Sequence, residues 1–130
     1  MEFRKIRSVV SQTLAIASFT DNTNTTGYID FTKALPVGAM VLGWKATVTT
    51  AFTGNTSAVM QVGIAGDLDK FSANTAQSCF TAGTVGSLAL AADAVTGFSS
   101  ALTPRVTVTG GSDFTAITAG AMTVEVFFMV

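Results

Sequence analysis

Histidine is absent from this 130-residue chain, and cysteine occurs once, at Cys79. The first absence removes the commonest general base and the commonest transition-metal ligand. The second excludes an internal disulfide, a zinc ribbon and a Cys-x-x-Cys redox pair. Charge is scarce as well, at 12% of residues against about 25% in an average soluble domain. Seven basic side chains nearly cancel eight acidic ones, leaving a net charge of −1 and no basic field for nucleic acid. No apolar run approaches the ~18 residues that a membrane-spanning helix needs. What remains is 48% hydrophobic, too apolar for a disordered chain. Its length suits one domain with a sizeable core. Composition thus points away from catalysis and towards a structural or binding role.

Threonine and alanine fill the place of the missing charges, in runs such as Thr47-Val48-Thr49-Thr50 and Ala89-Leu90-Ala91-Ala92. Threonine is β-branched and favours strands. A surface of Thr, Ala and Gly loses little side-chain entropy when covered, which suits permanent contact with another protein. It equally describes the surface of a plain low-charge β-domain.

Apolar alternation is clearest from Met40 to Phe52. Met40, Leu42, Trp44, Ala46, Val48 and Phe52 share one parity, and Lys45, Thr47, Thr49 and Thr53 the other. This predicts a long half-buried strand. Gly54-Asn55-Thr56 follows as a turn, and alternation resumes at Ala58, Met60, Val62 and Ile64, so the pair reads as a hairpin. Shorter strands are predicted at residues 10–19, 28–32, 105–109 and 122–130. Residues 65–84 read as an excursion outside the core, and residues 85–94 suit a helical turn or a strand. The last strand is apolar on both sides, with Met122, Val124, Val126, Phe128 and Val130 on one and Phe127 and Met129 on the other. It is therefore either central within the monomer or covered by another subunit, since exposure would invite aggregation. Seven or eight strands without a convincing helix predict an all-β chain, an antiparallel β-sandwich or jelly roll with an extended N-terminal arm. The arm is expected over residues 1–9 and a single β-sandwich domain over residues 10–130.

The N-terminus imitates a signal peptide, with a basic start and Ala15-Ile16-Ala17 as a false cleavage site. Ser8, Ser11, Gln12 and Thr13 are too polar for its apolar segment, and that reading is rejected. Arg4, Lys5 and Arg7 against Glu2 make the arm cationic on an otherwise acidic chain. Such an arm suits an acidic groove on a partner protein, a solvated tail, or DNA, although three cations hold DNA weakly at physiological salt.

Other candidate sites are thinner. Asp67 and Asp69 are too few oxygens for a calcium ion, which takes about six to eight, and read as the shoulder of a turn. Cys79 has no histidine with which to form a nucleophilic pair and reads as a packed thiol. Trp44 and Tyr28 could form a sugar-stacking platform, but Trp44 has the parity of the core residues. No phosphate-binding or nucleophile-elbow motif is present. No catalytic residue, metal or cofactor is assigned.

The stretch from Ile29-Asp30-Phe31-Thr32 through Pro36-Val37-Gly38-Ala39 is similar to small virion proteins of tailed bacteriophages. Val62-Gly63-Ile64-Ala65-Gly66-Asp67-Leu68-Asp69-Lys70-Phe71 and the ending Gly120-Ala121-Met122-Thr123-Val124-Glu125-Val126 share that likeness, which covers residues 25–130. Among these, the chain resembles capsid decoration (cement) proteins. The resemblance implies a non-enzymatic outer-capsid protein that forms a homotrimer and stabilises contacts between subunits of a major capsid protein. It implies location in the virion, with the host cytoplasm as the site of assembly, and no membrane or nucleic-acid partner. Interface candidates are Phe3, Arg4, Lys5 and Arg7 of the arm, Asp69, Lys70 and Phe71 of the excursion, and Phe127 and Met129 of the last strand. A phage tail or fibre component and a glycan-binding β-sandwich module are the alternatives.

Overall fold

The computed structural model describes residues 8–22, 24–72, 77–87 and 99–130. Nine strands lie within them: β1 (Ser8–Ala15), β2 (Thr20–Asp21), β3 (Thr26–Asp30), β4 (Met40–Thr53), β5 (Ala58–Gly63), β6 (Gln77–Ser78), β7 (Gly83–Ser87), β8 (Arg105–Gly110) and β9 (Ala119–Met129). They form two antiparallel sheets, ordered β1-β9-β4-β7 and β2-β3-β8-β5-β6. With the two-residue β2 set aside, first pairs with last and third with eighth, which is the double Greek key of a jelly roll. The all-β, antiparallel expectation holds, and of its two forms the jelly roll is the one observed. The arm lies outside the described residues, except that Ser8 and Val9, expected in it, already belong to β1.

The predicted hairpin at residues 54–57 is not one. β4 and β5 belong to different sheets, so this turn is an arch that carries the chain across the sandwich. Alternation reports which face of a strand is buried and is silent about which neighbour it pairs with. Asn55 pins the arch. Its Oδ1 accepts the backbone N–H of Thr56 at 2.7 Å and of Ser112 at 3.1 Å, while its Nδ2 donates to the Asp113 carbonyl at 2.9 Å. This side chain thus ties the β4–β5 arch to the β8–β9 arch. Asn55→Ala is expected to cost about 1–3 kcal/mol, because it leaves three backbone groups to find new partners, as read from urea unfolding.

β4 shows how parity misleads. A bulge between Val41 and Gly43 adds one residue opposite β9 and shifts the alternation. Val41 is therefore fully buried, whereas Met40 is 40% exposed and Leu42 only half-buried, contrary to the expectation that both face inward. Beyond the bulge, Trp44, Ala46, Val48 and Phe52 enter the core as expected. β9 lies between β1 and β4, so its two apolar sides have different roles. Met122, Val124, Val126 and Phe128 fill the sandwich, and the opposite side faces out. Gly120 opens this strand at φ +151°, with the Phe52 ring lying where a side chain would start. Gly120→Val would meet Phe52 Cγ 2.5 Å from its Cβ. It should destabilise by roughly 2–4 kcal/mol, visible as a lowered denaturant midpoint with an unchanged slope.

The segment after β5 corrects a second expectation. Its chain turns at Gly66 (φ +86°), and the Phe71 and Ser72 N–H groups both donate to the Val62 carbonyl at 3.0 Å. Phe71 is consequently a fully buried core residue rather than part of an excursion, and Cys79 is fully buried, as expected of a packed thiol. Burial pushes the Cys79 thiol up to about 12 from 9.0. The unfolded chain ionises first, so the stability that this thiol contributes is complete below pH 9.0 and is lost as the pH rises towards 12. A thiol reagent at pH 8 should accordingly label the native protein only at its unfolding rate. Of residues 85–94, those up to Ser87 extend β7, and the remainder lie outside the described residues.

Candidate interaction surface

The two outer faces of the sandwich differ in chemistry. On the β2-β3-β8-β5-β6 sheet, Arg105 is held by Asp30, its Nε donating to Oδ1 at 2.6 Å and its Nη2 to Oδ2 at 3.0 Å. Its guanidinium lies 3.8 Å from the Tyr28 ring centroid. The bond to Asp30 raises the Arg105 pKa above its ordinary value. Thr107 is buried between its cross-strand neighbours Tyr28 and Gln61. This face is stapled by its own charges, and Tyr28 is engaged in the staple.

The outer face of the β1-β9-β4-β7 sheet is built in rows set by strand register. At one end Met40 pairs with Met129, and Val9 with Phe127. The next row runs Ser11, Glu125, Lys45 and Gly86. Its ion pair spans 3.8 Å, with Lys45 half-exposed, and so contributes little. A third row carries a threonine on every strand: Thr13, Thr123, Thr47 and Thr84. Hydroxyls pair within it, Thr13 with Thr123 at 3.5 Å and Thr47 with Thr84 at 3.4 Å. Hydrogen bonding among themselves lets these groups be covered with little desolvation cost.

The apolar end gathers features that are distant in sequence. Val9 is 47% exposed and Val130 78% exposed, beside the half-buried Phe127 and Met129. Ser8 lies opposite Phe128, so β1 begins at this same end. Sequence reasoning found Phe127 and Met129 through the greasy second side of the last strand. It missed Val9 and Met40, the latter because the bulge reverses its side.

Other sequence candidates fare differently. Phe71 is fully buried and its side chain offers no contact surface. Asp69 and Lys70 are half-buried on the turn after β5, where Lys70 Nζ lies 4.0 Å from Asp67 Oδ2. Phe3, Arg4, Lys5 and Arg7 lie outside the described residues. Trp44 is 3% exposed and faces the core, which removes it from any sugar platform. Among the described residues no group of three acidic or cysteine side chains is placed to hold a metal ion.

The geometry defines a jelly-roll protein whose distinctive surface is the outer face of the β1-β9-β4-β7 sheet, where Lys45 and Glu125 are the charged side chains among the described residues. No family model and no curated protein sequence matches the chain. In structure it is similar to a chain of the cyanophage Pam1 capsid asymmetric unit, at a TM-score of 0.67 and 20% sequence identity. The match covers 95% of this chain and 84% of the other, so the shared fold runs through nearly the whole of both.

Proposed function

We propose that this chain is a virion structural protein, an outer-capsid decoration or cement protein that oligomerises and stabilises contacts between major capsid subunits. The observation that carries the reading is the jelly roll shared along 95% of the chain with a component of a phage capsid. The outer face of the β1-β9-β4-β7 sheet supports it: its charges among the described residues, Lys45 and Glu125, are paired with each other, so covering it strands no lone charge. The action is interface physics rather than catalysis: each subunit covers modest area across a seam, and many equivalent contacts multiply the effect. Residues 1–7 would add cationic reach at the apolar end of the same face.

Antibody labelling of virions carrying the chain, seen by negative-stain electron microscopy, tests the location. Label over heads is expected; label confined to tails or fibres would overturn the decoration role. Deleting residues 1–7 should weaken particle binding, with the loss largest at low salt, where charge attraction is least screened. Occupancy equal to that of the intact chain at every salt concentration would leave the arm without an anchoring role.

A further inference from the structure

Exposed apolar side chains are not scattered over this molecule. Among the described residues the large ones are Val9, Val37, Met40, Leu68 and Val130. Register places all of them at one end of the sandwich. β1 and β4 begin where β9 ends, with Val9 opposite Phe127 and Met40 opposite Met129. Val37 stands in the connection into β4, and Val130 follows β9. In the other sheet, β5 and β3 end where β8 begins, in the row Gly63, Arg105 and Asp30, and Leu68 is on the turn beyond β5. The opposite end consists of the turn at residues 22–25 and the arches at 54–57 and 111–118. Asn55 ties the two arches, and the Phe114 N–H donates to the Asn24 carbonyl at 2.8 Å. The exposed residues described there are all polar or glycine.

Charge follows the same axis. Lys45, Lys70 and Arg105, all in the apolar half, are paired with Glu125, Asp67 and Asp30. Lys33 is exposed in the connection that carries Val37. With Arg4, Lys5 and Arg7, which precede β1 in sequence, it outnumbers Asp69, Glu2 and Asp93. The charged residues described at the polar end, Asp21 and Asp113, are both acidic.

We infer that the protein docks end-on: the end where β1 and β4 begin meets an apolar, carboxylate-bearing surface of a different protein, and the Asn55 end points away from it. The inference rests on the reading of the chain as a virion structural protein and adds an orientation and a partner chemistry. Apolar side chains exposed together mark a contact, and the basic excess beside them is complemented by carboxylates. A second copy does not supply that surface. Its like end carries the same basic excess, and its polar end offers no large exposed apolar side chain among the described residues. Copies standing side by side, as in a trimer, all present the apolar end in one direction, so their contacts add.

Thiol labelling reads the orientation. Val37→Cys puts a reactive group at the apolar end and Asn22→Cys one at the polar end, both at exposed positions. The native Cys79 is buried, so it stays silent unless a variant unfolds. Both introduced thiols should react readily with a maleimide in the free chain. On virions Val37→Cys should react at least about tenfold more slowly, while Asn22→Cys keeps its free rate. Loss of particle binding by Val37→Cys alone has the same meaning as its protection. Equal rates on virions, or protection of Asn22→Cys, overturn the orientation. Protection of Val37→Cys in the concentrated free chain gives this end to a second copy and overturns the partner. For the partner's chemistry, stripped virions are amidated at their surface carboxylates with carbodiimide and ethanolamine. Rebinding to heads that remain intact should weaken by at least about fivefold, and unchanged rebinding overturns the charge match. If antibody labelling places the chain on tails, the capsid reading fails, and the two thiols compared on those particles still decide the orientation.

Discussion

Val124→Asp is expected to yield no folded protein at 25 °C. Val124 is fully buried in the middle of β9, with Gln12 of β1 and Ala46 of β4 as its cross-strand neighbours. A carboxylate there would have no cation beside it: among the described residues the buried side chains are apolar apart from Ser72 and Thr107, and the adjoining Gln12 is neutral. The penalty exceeds about 4–5 kcal/mol, a large part of the ~5–15 kcal/mol available to a whole domain. Thr123→Lys, one residue away, points to the outer face between Thr13 and Thr47 and should cost under about 1 kcal/mol. Circular dichroism and urea unfolding of this pair measure the sidedness of the central strand. Equal tolerance of both changes would contradict the sandwich.

The second large effect separates folding from assembly. Phe127→Glu together with Met129→Glu places two carboxylates at the apolar end of the outer sheet, where both native side chains are half-buried. The inner face of β9 is untouched, so the variant should fold, with loosening of only about 1–2 kcal/mol from lost packing. Particle binding should fall far more, by at least about thirtyfold, as when a central apolar anchor is removed from an interface. Cosedimentation with particles, compared with the unaltered chain at equal concentration, reads the difference. Unchanged occupancy would exclude this end of the sheet from the capsid contact.

Folding should be slow for a chain of this size. Every long strand pairs with a partner distant in sequence, β1 with β9, β3 with β8 and β5 with β8. Such non-local pairings are closed late and at an entropic cost, and all-β domains of this kind fold in about milliseconds to seconds.

The residues show why part of this was legible and part was not. The inward sets Trp44-Ala46-Val48 and Met122-Val124-Val126 could be read directly, since alternation follows from the pleat of a single strand. Met40 and Leu42 could not, because one inserted residue at the bulge reverses the sides without leaving a signal in composition. Phe71 was hidden for a related reason: a turn-rich stretch gives no period from which burial can be inferred, yet it folds back on β5. The outer face was half-visible, as Phe127 and Met129 stood out within their strand while Val9 and Met40 became their neighbours only through pairing.

Composition alone settled that this chain has no histidine, a single thiol and little charge. Local pattern settled that it is built of strands. Which strands adjoin, that the turn at Asn55 crosses between sheets, and that β9 lies between β1 and β4 were decided only in three dimensions. The reason is physical: a strand's sequence specifies which side is dry, but its hydrogen-bonding edges are the same backbone whatever the residues, so partners are chosen by how the whole chain packs.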